Sequence, residues 1–290
     1  MARIAIIGGG SMGEALLSGF LRAGRPVKDL VVAEKVADRA RYLSDTHSVL
    51  VTSVADAVEN ASIVIIAVKP ADVEPVIADI AQAVAAASDA SPEQVLVTVA
   101  AGVTTGYLES KLPAGTAVVR AMPNTPVLVG AGASALSKGR FASAEQLNEV
   151  AALFDCVGSV AIVAETQLDA VTAVSGSGPA YFFLLVEALV DAAVGVGLSR
   201  GVATELAVQT MAGSAEMLLD HIEQDQQAAD AASGTTMDTT AAQLRAMVTS
   251  PGGTTAAALR ELEHGGLRAA VDQAVRAAKT RAEQLRITAE

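Results

Sequence analysis

A short apolar run, Ile4-Ala5-Ile6-Ile7, passes directly into Gly8-Gly9-Gly10-Ser11-Met12-Gly13, and Glu14 to Gly24 then repeats apolar residues at helical spacing. Strand, glycine turn and helix in that order leave few folds open. Gly8 lets the chain turn, Gly10 lets a ligand approach the backbone, and Gly13 lets helix and strand pack closely. The helix start offers N–H groups without intrahelical acceptors, which suits a pyrophosphate. A lone glycine pattern is weak evidence, but here the next strand, Asp29 to Ala33, ends in Glu34, 21 positions past Gly13. A dinucleotide-binding sheet places an acid there to read the adenosine ribose. Gly8, Gly10, Ser11, Met12, Gly13 and Glu34 are therefore candidate cofactor-binding residues.

A carboxylate at Glu34 favours NAD over NADP, because it hydrogen-bonds a ribose 2′-OH and repels a 2′-phosphate. Lys35 and Arg39 stand beside it and offer a phosphate a counter-charge. Both NADH and NADPH stay open as cofactors, with use of NADH favoured and NADPH tolerated. The same three residues also suit a solvated helix start.

Further β runs follow at Ser48 to Val51, Ser62 to Val68, Val95 to Val99 and Ala117 to Ala121, with a helix from Ala71 to Ala87. Ser62 to Val68 is apolar without alternation, as in a parallel strand covered on both faces. Loops at the C-terminal ends of such strands line the ligand crevice. Ala67, Val68, Lys69 and Pro70 are placed there by this rule. Ala100 and Ala101, small enough for a flat ring to lie against, follow the next strand. Met122, Pro123 and Asn124, in a loop stiffened by Pro123 and Pro126, form another wall or a rigid connection. Gly130 to Leu136 and Val160 to Val163 are expected to close the sheet, so this domain ends near residue 163.

After Ala164 the β runs stop. Thr166 to Asp169 reads as a capping box opening a helix, which Gly176 and Gly178 interrupt before a helix from Tyr181 to about Leu198. Further helices are expected at Arg200 to Leu219, Ala241 to Val248, Thr255 to His264 and Leu267 to Arg286, with Glu223 to Thr240 as a mobile loop of low complexity. The fold class is thus α/β, a Rossmann-type doubly wound sheet over residues 1–163 followed by an all-α domain over residues 164–290. Tyr181 to Val194 is too apolar for so small a domain to cover alone, which implies a two-fold dimer of interlocked helices.

Ser250-Pro251-Gly252-Gly253-Thr254-Thr255 leads straight into Ala256 to Leu262, a helix by its spacing. A glycine turn feeding a helix N-terminus suits a small carboxylate, with hydroxyls beside it. The same residues also serve as an ordinary helix cap.

Net charge is −12 and no basic cluster of five or more occurs, so nucleic acid and anionic membranes are poor partners. The apolar run around Ala180 to Leu198 carries Glu187 and Asp191, which argues against a membrane span. His47, His221 and His264 lack ligand spacing, so no metal site is expected. The single cysteine, Cys156, excludes an intrachain disulfide and reads as a buried structural thiol. With no removable leader before Ile4, a cytoplasmic location is expected.

Together, Val248-Thr249-Ser250-Pro251-Gly252-Gly253-Thr254-Thr255, Ala173 to Tyr181, Ala67 to Pro70 and Arg120 to Pro126 resemble the pyrroline-5-carboxylate reductase family over nearly the whole chain. The resemblance implies a Rossmann domain with a helical dimerisation domain, often assembled into pentamers of dimers, that is, a decamer. It also implies reduction of L-1-pyrroline-5-carboxylate to L-proline by NADH or NADPH, the last step of proline synthesis. In that reading Ser250, Gly252, Gly253 and Thr254 hold the substrate carboxylate. Thr255 bonds the ring nitrogen and relays its proton. Glu223 to Thr240 looks longer than the corresponding family segment. Reduction of another cyclic imine acid, or dinucleotide binding without turnover, are the alternatives. A β-hydroxyacid dehydrogenase resembles this chain at its N-terminus but needs a lysine in its helical half, where this chain has only Lys279, far from any glycine turn.

Overall fold

A computed structural model describes residues 3–86, 93–232 and 240–288. It divides into two compact units, residues 1–179 with 275–290, and residues 180–274.

The first unit is built on an eight-stranded sheet in the order β3-β2-β1-β4-β5-β6-β7-β8. The strands are β1 (Ile4–Ile7), β2 (Leu30–Ala33), β3 (Leu50–Thr52), β4 (Ile63–Ile66), β5 (Val95–Thr98), β6 (Ala117–Met122), β7 (Gly132–Lys138) and β8 (Gly158–Ile162). All pairs are parallel except β6 with β7. Ile4 lies opposite Leu30 on one side and Ile63 on the other, so the apolar residues of three strands fall in line. Alternate residues then enter different cores. Ile4, Ile6, Val32, Ile65 and Val97 meet helices α1 (Ser11–Arg22) and α6 (Ala144–Asp155). Ala5, Ile7, Val31, Ile66 and Leu96 meet α3 (Val54–Val58), α4 (Val73–Ala86) and α5 (Thr105–Lys111). Burial on both faces is why these strands read as unbroken apolar runs. Each fully buried Ile or Leu contributes roughly 1.5–3 kcal/mol. In the first core Phe20 and Phe154 pack edge to face, with centroids 6.3 Å apart. The remaining helix of this sheet is α2 (Ala37–His47).

All eight expected strands form, with ends shifted by a few residues. The seventh runs from Gly132 to Lys138, and its reversal follows from the short β6–β7 connection: parallel pairing needs a crossover of a dozen residues or more. Cys156 corrects the sequence reading. The residue is exposed, although its Sγ bonds the Leu153 carbonyl and burial of the sulfur pushes the thiol pKa up. A raised pKa makes it a poor nucleophile.

Beyond the sheet, Thr166 does not cap a helix. The Gln167 side chain accepts the Ala164 N–H at 3.1 Å, and a 3-10 turn at Glu165–Gln167 leads into α7 (Leu168–Val171). Gly176 does not break the path either. Thr172–Gly176 is a π-helical turn, after which α8 (Gly178–Gly195) begins.

The second unit is all-helical among the described residues, with most of α8, then α9 (Arg200–Ala232), α10 (Thr240–Met247), α11 (Thr254–His264) and the start of α12 (Leu267–Gln284). The expected mobile loop is corrected over its first part. Residues 223–232 continue α9, because Glu, Gln and Ala are good helix formers. Gln224 also bonds Asp220 four residues back. Residues 233–239 lie outside the described residues. α8 exposes Phe182, Phe183 and Leu184, each more than half accessible.

Candidate active site

The β1–α1 turn stands where the strand order reverses, between β1 and β4. A crevice opens there at the C-terminal strand ends of a doubly wound sheet. Here it is a cleft of about 510 Å³, lined among others by Gly8, Gly10, Glu34, Lys35, Val68 and Lys69. Gly8 has φ +104°, the left-handed side of backbone space that glycine enters without strain. Gly13 is crowded: a Cβ there would lie 1.9 Å from the Gly8 carbonyl oxygen. Gly10 is the opposite case. A Cβ would meet no protein atom within 4 Å, and Gly10 caps α1 without a side chain. A bare helix N-terminus facing open space fits a pyrophosphate. Ser11 is the first residue of α1, while Met12 turns its side chain into the core and has only its backbone to offer.

Glu34 ends β2 and is held by backbone donors. One oxygen accepts the Gly9 N–H at 2.9 Å and the other accepts the Val36 N–H at 2.8 Å. Lys35 pairs with Asp72 at 2.8 Å. Arg39 donates to the Gly9 carbonyl at 2.7 Å and pairs with Glu14, which His47 also reaches at 3.1 Å. Burial pushes the Glu14 carboxyl up, but the bonds to His47 and Arg39 outweigh it and hold its pKa below the ordinary value. Both cations that stood available to a phosphate in the sequence are therefore engaged with acids. Asp72 and Asp79 add further carboxylates to the cleft lining. They escaped the sequence reading; their signal was the helix start that follows Pro70.

Pro70 opens a 3-10 turn directly after Lys69, and Ala67 and Val68 line the same cleft. Ala100 is buried in the second core, whereas Ala101 is exposed, so only Ala101 can offer its side chain to a ligand. Pro123 and Asn124 are buried beyond the half-buried Met122. The Asn124 amide is consumed internally. It accepts the Ala133 N–H at 2.8 Å and donates to the Ser175 carbonyl at 3.1 Å, tying the β6 end to β7 and to the π turn. Asn124 thus braces this wall. Among the described residues no metal-binding cluster of His, Cys, Asp or Glu occurs.

In the second unit, the Gly253 N–H donates to the Ser250 carbonyl at 3.0 Å. Pro251 and Gly252 are the central residues of this turn, and Gly252 has φ +70°. Proline followed by a residue of positive φ is the requirement of a type II turn. Gly253, with φ −78° and ψ 175°, is the N-cap of α11 and lends no side chain to it. Its N–H is spent on the turn, and the first helical residues after it are Thr254 and Thr255. Thr255 is half-buried and Ser250 exposed.

A glycine-capped helix beside hydroxyls, in a chain with a dinucleotide cleft, narrows the possible relatives. A family model described as pyrroline-5-carboxylate reductase dimerisation matches residues 165–285. A pyrroline-5-carboxylate reductase of Mycobacterium tuberculosis (strain CDC 1551 / Oshkosh) is 74% identical, over 100% of this chain and 99% of its own. The chain belongs to the pyrroline-5-carboxylate reductase family. A family member from Corynebacterium melassecola is 41% identical, over 98% of this chain and 99% of its own. A solved pyrroline-5-carboxylate reductase from Coxiella burnetii superposes with a TM-score of 0.85 at 34% identity, covering 99% of each chain. The one from Plasmodium falciparum, solved with NADP bound, gives 0.79 at 28% identity, covering 98% of each. The N-terminal part, residues 3–102, also matches a model described as NADP oxidoreductase coenzyme F420-dependent. That match covers the glycine turn, Glu34 and Lys69, the portion this family shares with other dinucleotide enzymes.

Proposed function

We propose that this chain reduces L-1-pyrroline-5-carboxylate to L-proline with NADH or NADPH, as the last step of proline biosynthesis. The observation that carries the reading is the Ser250–Thr255 turn capping α11, in a chain similar to named reductases over its full length. Residues 1–163 are assigned to the cofactor, and residues 164–290 to dimerisation and the substrate. Gly8, Gly10, Ser11 and Gly13 cradle the pyrophosphate, and Glu34 reads the ribose. Ala67 to Pro70, Ala101 and Met122 supply the walls around the nicotinamide.

When bound, the cofactor supplies a hydride to the imine carbon. The chain's own part is to hold and polarise the substrate. The Thr254 and Thr255 N–H groups and the α11 dipole bind the carboxylate, helped by Ser250. That fixes the ring, which is the positioning contribution to catalysis. The pyrroline nitrogen is basic and carries its own proton, which it donates to the Thr255 hydroxyl oxygen; hydride transfer leaves a neutral amine, and the same hydroxyl relays to it a second proton from solvent. No strong side-chain acid is required.

The direct test measures loss of the reduced-nicotinamide absorbance with and without pyrroline-5-carboxylate. Turnover that depends on this imine supports the reading. Binding of both cofactors without turnover overturns it, and a six-membered imine acid as the better substrate would change the ring size. Because Lys35 and Arg39 are already paired and Glu34 is held in place, NADH is the favoured donor. Glu34→Gln removes the repulsion of a 2′-phosphate, and kcat/KM for NADPH relative to NADH is expected to rise about 10-fold, equivalent to ~1.4 kcal/mol. An unchanged ratio in steady-state assays would remove Glu34 from cofactor choice.

The apolar surface of α8 is assigned to a second copy of the chain. Glu165–Gly195 is long and apolar enough to cross a membrane, but the dimerisation match covers the same residues. A homodimer, assembled further into a decamer in the cytoplasm, accounts for Phe183 at 65% exposure in the single chain. Phe183→Asp is expected to release monomers in sedimentation velocity. A variant that sediments like the wild type would place the interface elsewhere.

A further inference from the structure

Residues 285–287 belong to the first unit and run against the loop that follows β5. The Ile287 N–H donates to the Gly102 carbonyl at 2.8 Å. The Ile287 carbonyl accepts the Thr104 N–H at 3.3 Å and the Thr104 hydroxyl at 3.1 Å. Gly102 has φ +80°, and a Cβ there would lie 2.4 Å from the Leu285 carbonyl oxygen, so only glycine admits the tail this closely. Arg286 pairs with Asp169, which is almost fully buried. On its other side Asp169 faces the buried Arg120 at 3.5 Å, and Arg120 reaches Glu165 at 3.4 Å. Glu165 in turn accepts the Thr105 N–H at 2.8 Å and its hydroxyl at 2.6 Å. This network joins the tail, the loop after β5, the strand β6 and the start of α7. Two of these, at Ala101 and at Met122, carry the walls assigned to the nicotinamide.

We propose that Arg286 and Ile287 are positioning residues, a tail that straps the Ala100–Gly102 wall in the place required to seat the nicotinamide ring. The proposal rests on the cofactor reading above. Its chemical logic is that Gly8 to Glu34, which would hold the adenosine and pyrophosphate, do not touch the strap, whereas the wall assigned to the ring end of the cofactor does. Loosening the strap therefore weakens seating of the ring and leaves the ADP half bound.

The test uses the full-length enzyme with Arg286→Met, Arg286→Lys and Gly102→Ala. Gly102→Ala pushes on the tail through its backbone and keeps the Arg286 guanidinium in the chain, a second variant for the case in which Arg286→Met leaves Asp169 under-compensated and the chain fails to fold. The chain has no tryptophan, so the fluorescence of bound NADH reports ring seating without interference from protein tryptophan. ADP-ribose, which lacks the ring, is titrated as a competitor for the other half. The expected result is about a 10-fold loss of NADH affinity and kcat with ADP-ribose affinity held within about 2-fold, and recovery in Arg286→Lys. Variants with lowered melting temperature but wild-type NADH fluorescence and kcat would reduce the strap to a structural role. Equal losses for NADH and ADP-ribose would overturn it as general damage. If the wild type binds NADH but does not turn over pyrroline-5-carboxylate, the functional reading fails, while the fluorescence comparison still decides the strap. If the wild type binds neither NADH nor NADPH, the strap falls with the cofactor reading.

Discussion

Gly13→Ala is expected to lower the melting temperature strongly along with the cofactor affinity, whereas Gly10→Ala acts mainly on the affinity. The two glycines lie in one turn three residues apart, yet their surroundings are opposite. The new methyl at position 13 would sit 1.9 Å from the Gly8 carbonyl oxygen and 3.4 Å from Ile6 Cγ2. Neither is the end of a flexible side chain, so α1 must move away from β1. Overpacking of this kind costs about 1–3 kcal/mol. The shift also misaligns the helix N-terminus that we propose holds the pyrophosphate, and affinity should fall by about 10- to 100-fold, or ~1.4–2.8 kcal/mol. At position 10 the methyl meets no protein atom within 4 Å, and the backbone there, φ −68° and ψ −170°, is open to alanine. Gly10 is the α1 N-cap, where alanine is the poorer residue, so a loss of no more than about 1 kcal/mol is expected, below that at Gly13. In the proposed site the methyl instead fills the space that the pyrophosphate would take. Thermal melts and NADH titrations of both variants check the pair. If Gly10→Ala binds NADH as the wild type does, the pyrophosphate does not approach there.

Thr255→Ala is expected to lower kcat by about 10- to 100-fold, at or below the general acid–base range, because water can take over part of the proton relay. The loss should fall on kcat more than on KM. In the proposed site the carboxylate is held by backbone N–H groups that alanine retains, and only the bond to the ring nitrogen is removed. The second position of α11 accepts alanine readily, so the fold should be kept. Thr255→Ser keeps the hydroxyl and should recover most of the rate. Steady-state kinetics on the three proteins decide the matter: a Thr255→Ala enzyme with wild-type kcat would end the role given to this hydroxyl. A rise in KM alone would make Thr255 a binding residue.

What the sequence determined by itself is local. A run of apolar residues, a glycine turn and a helical repeat specify the β1–α1 unit, because each rests on the φ, ψ preferences and side-chain spacing of adjacent residues. The Pro251-Gly252 turn and the α11 N-terminus were legible for the same reason. Relations between distant residues needed the tertiary structure. Arg39 looks in the sequence like a phosphate ligand, but folding brings Glu14 and the Gly9 carbonyl to it. Asn124 looks like a ligand contact, but its amide closes bonds to Ala133 and Ser175. The continuation of α9 through residue 232 is the exception: its Glu, Gln and Ala favour a helix locally, and the low complexity of the segment hid that signal. The link between Gly102 and Ile287 spans most of the chain. Buried polar groups must find partners wherever the fold supplies them, and which residue supplies them depends on the packing of sheet and helices, which no local pattern encodes.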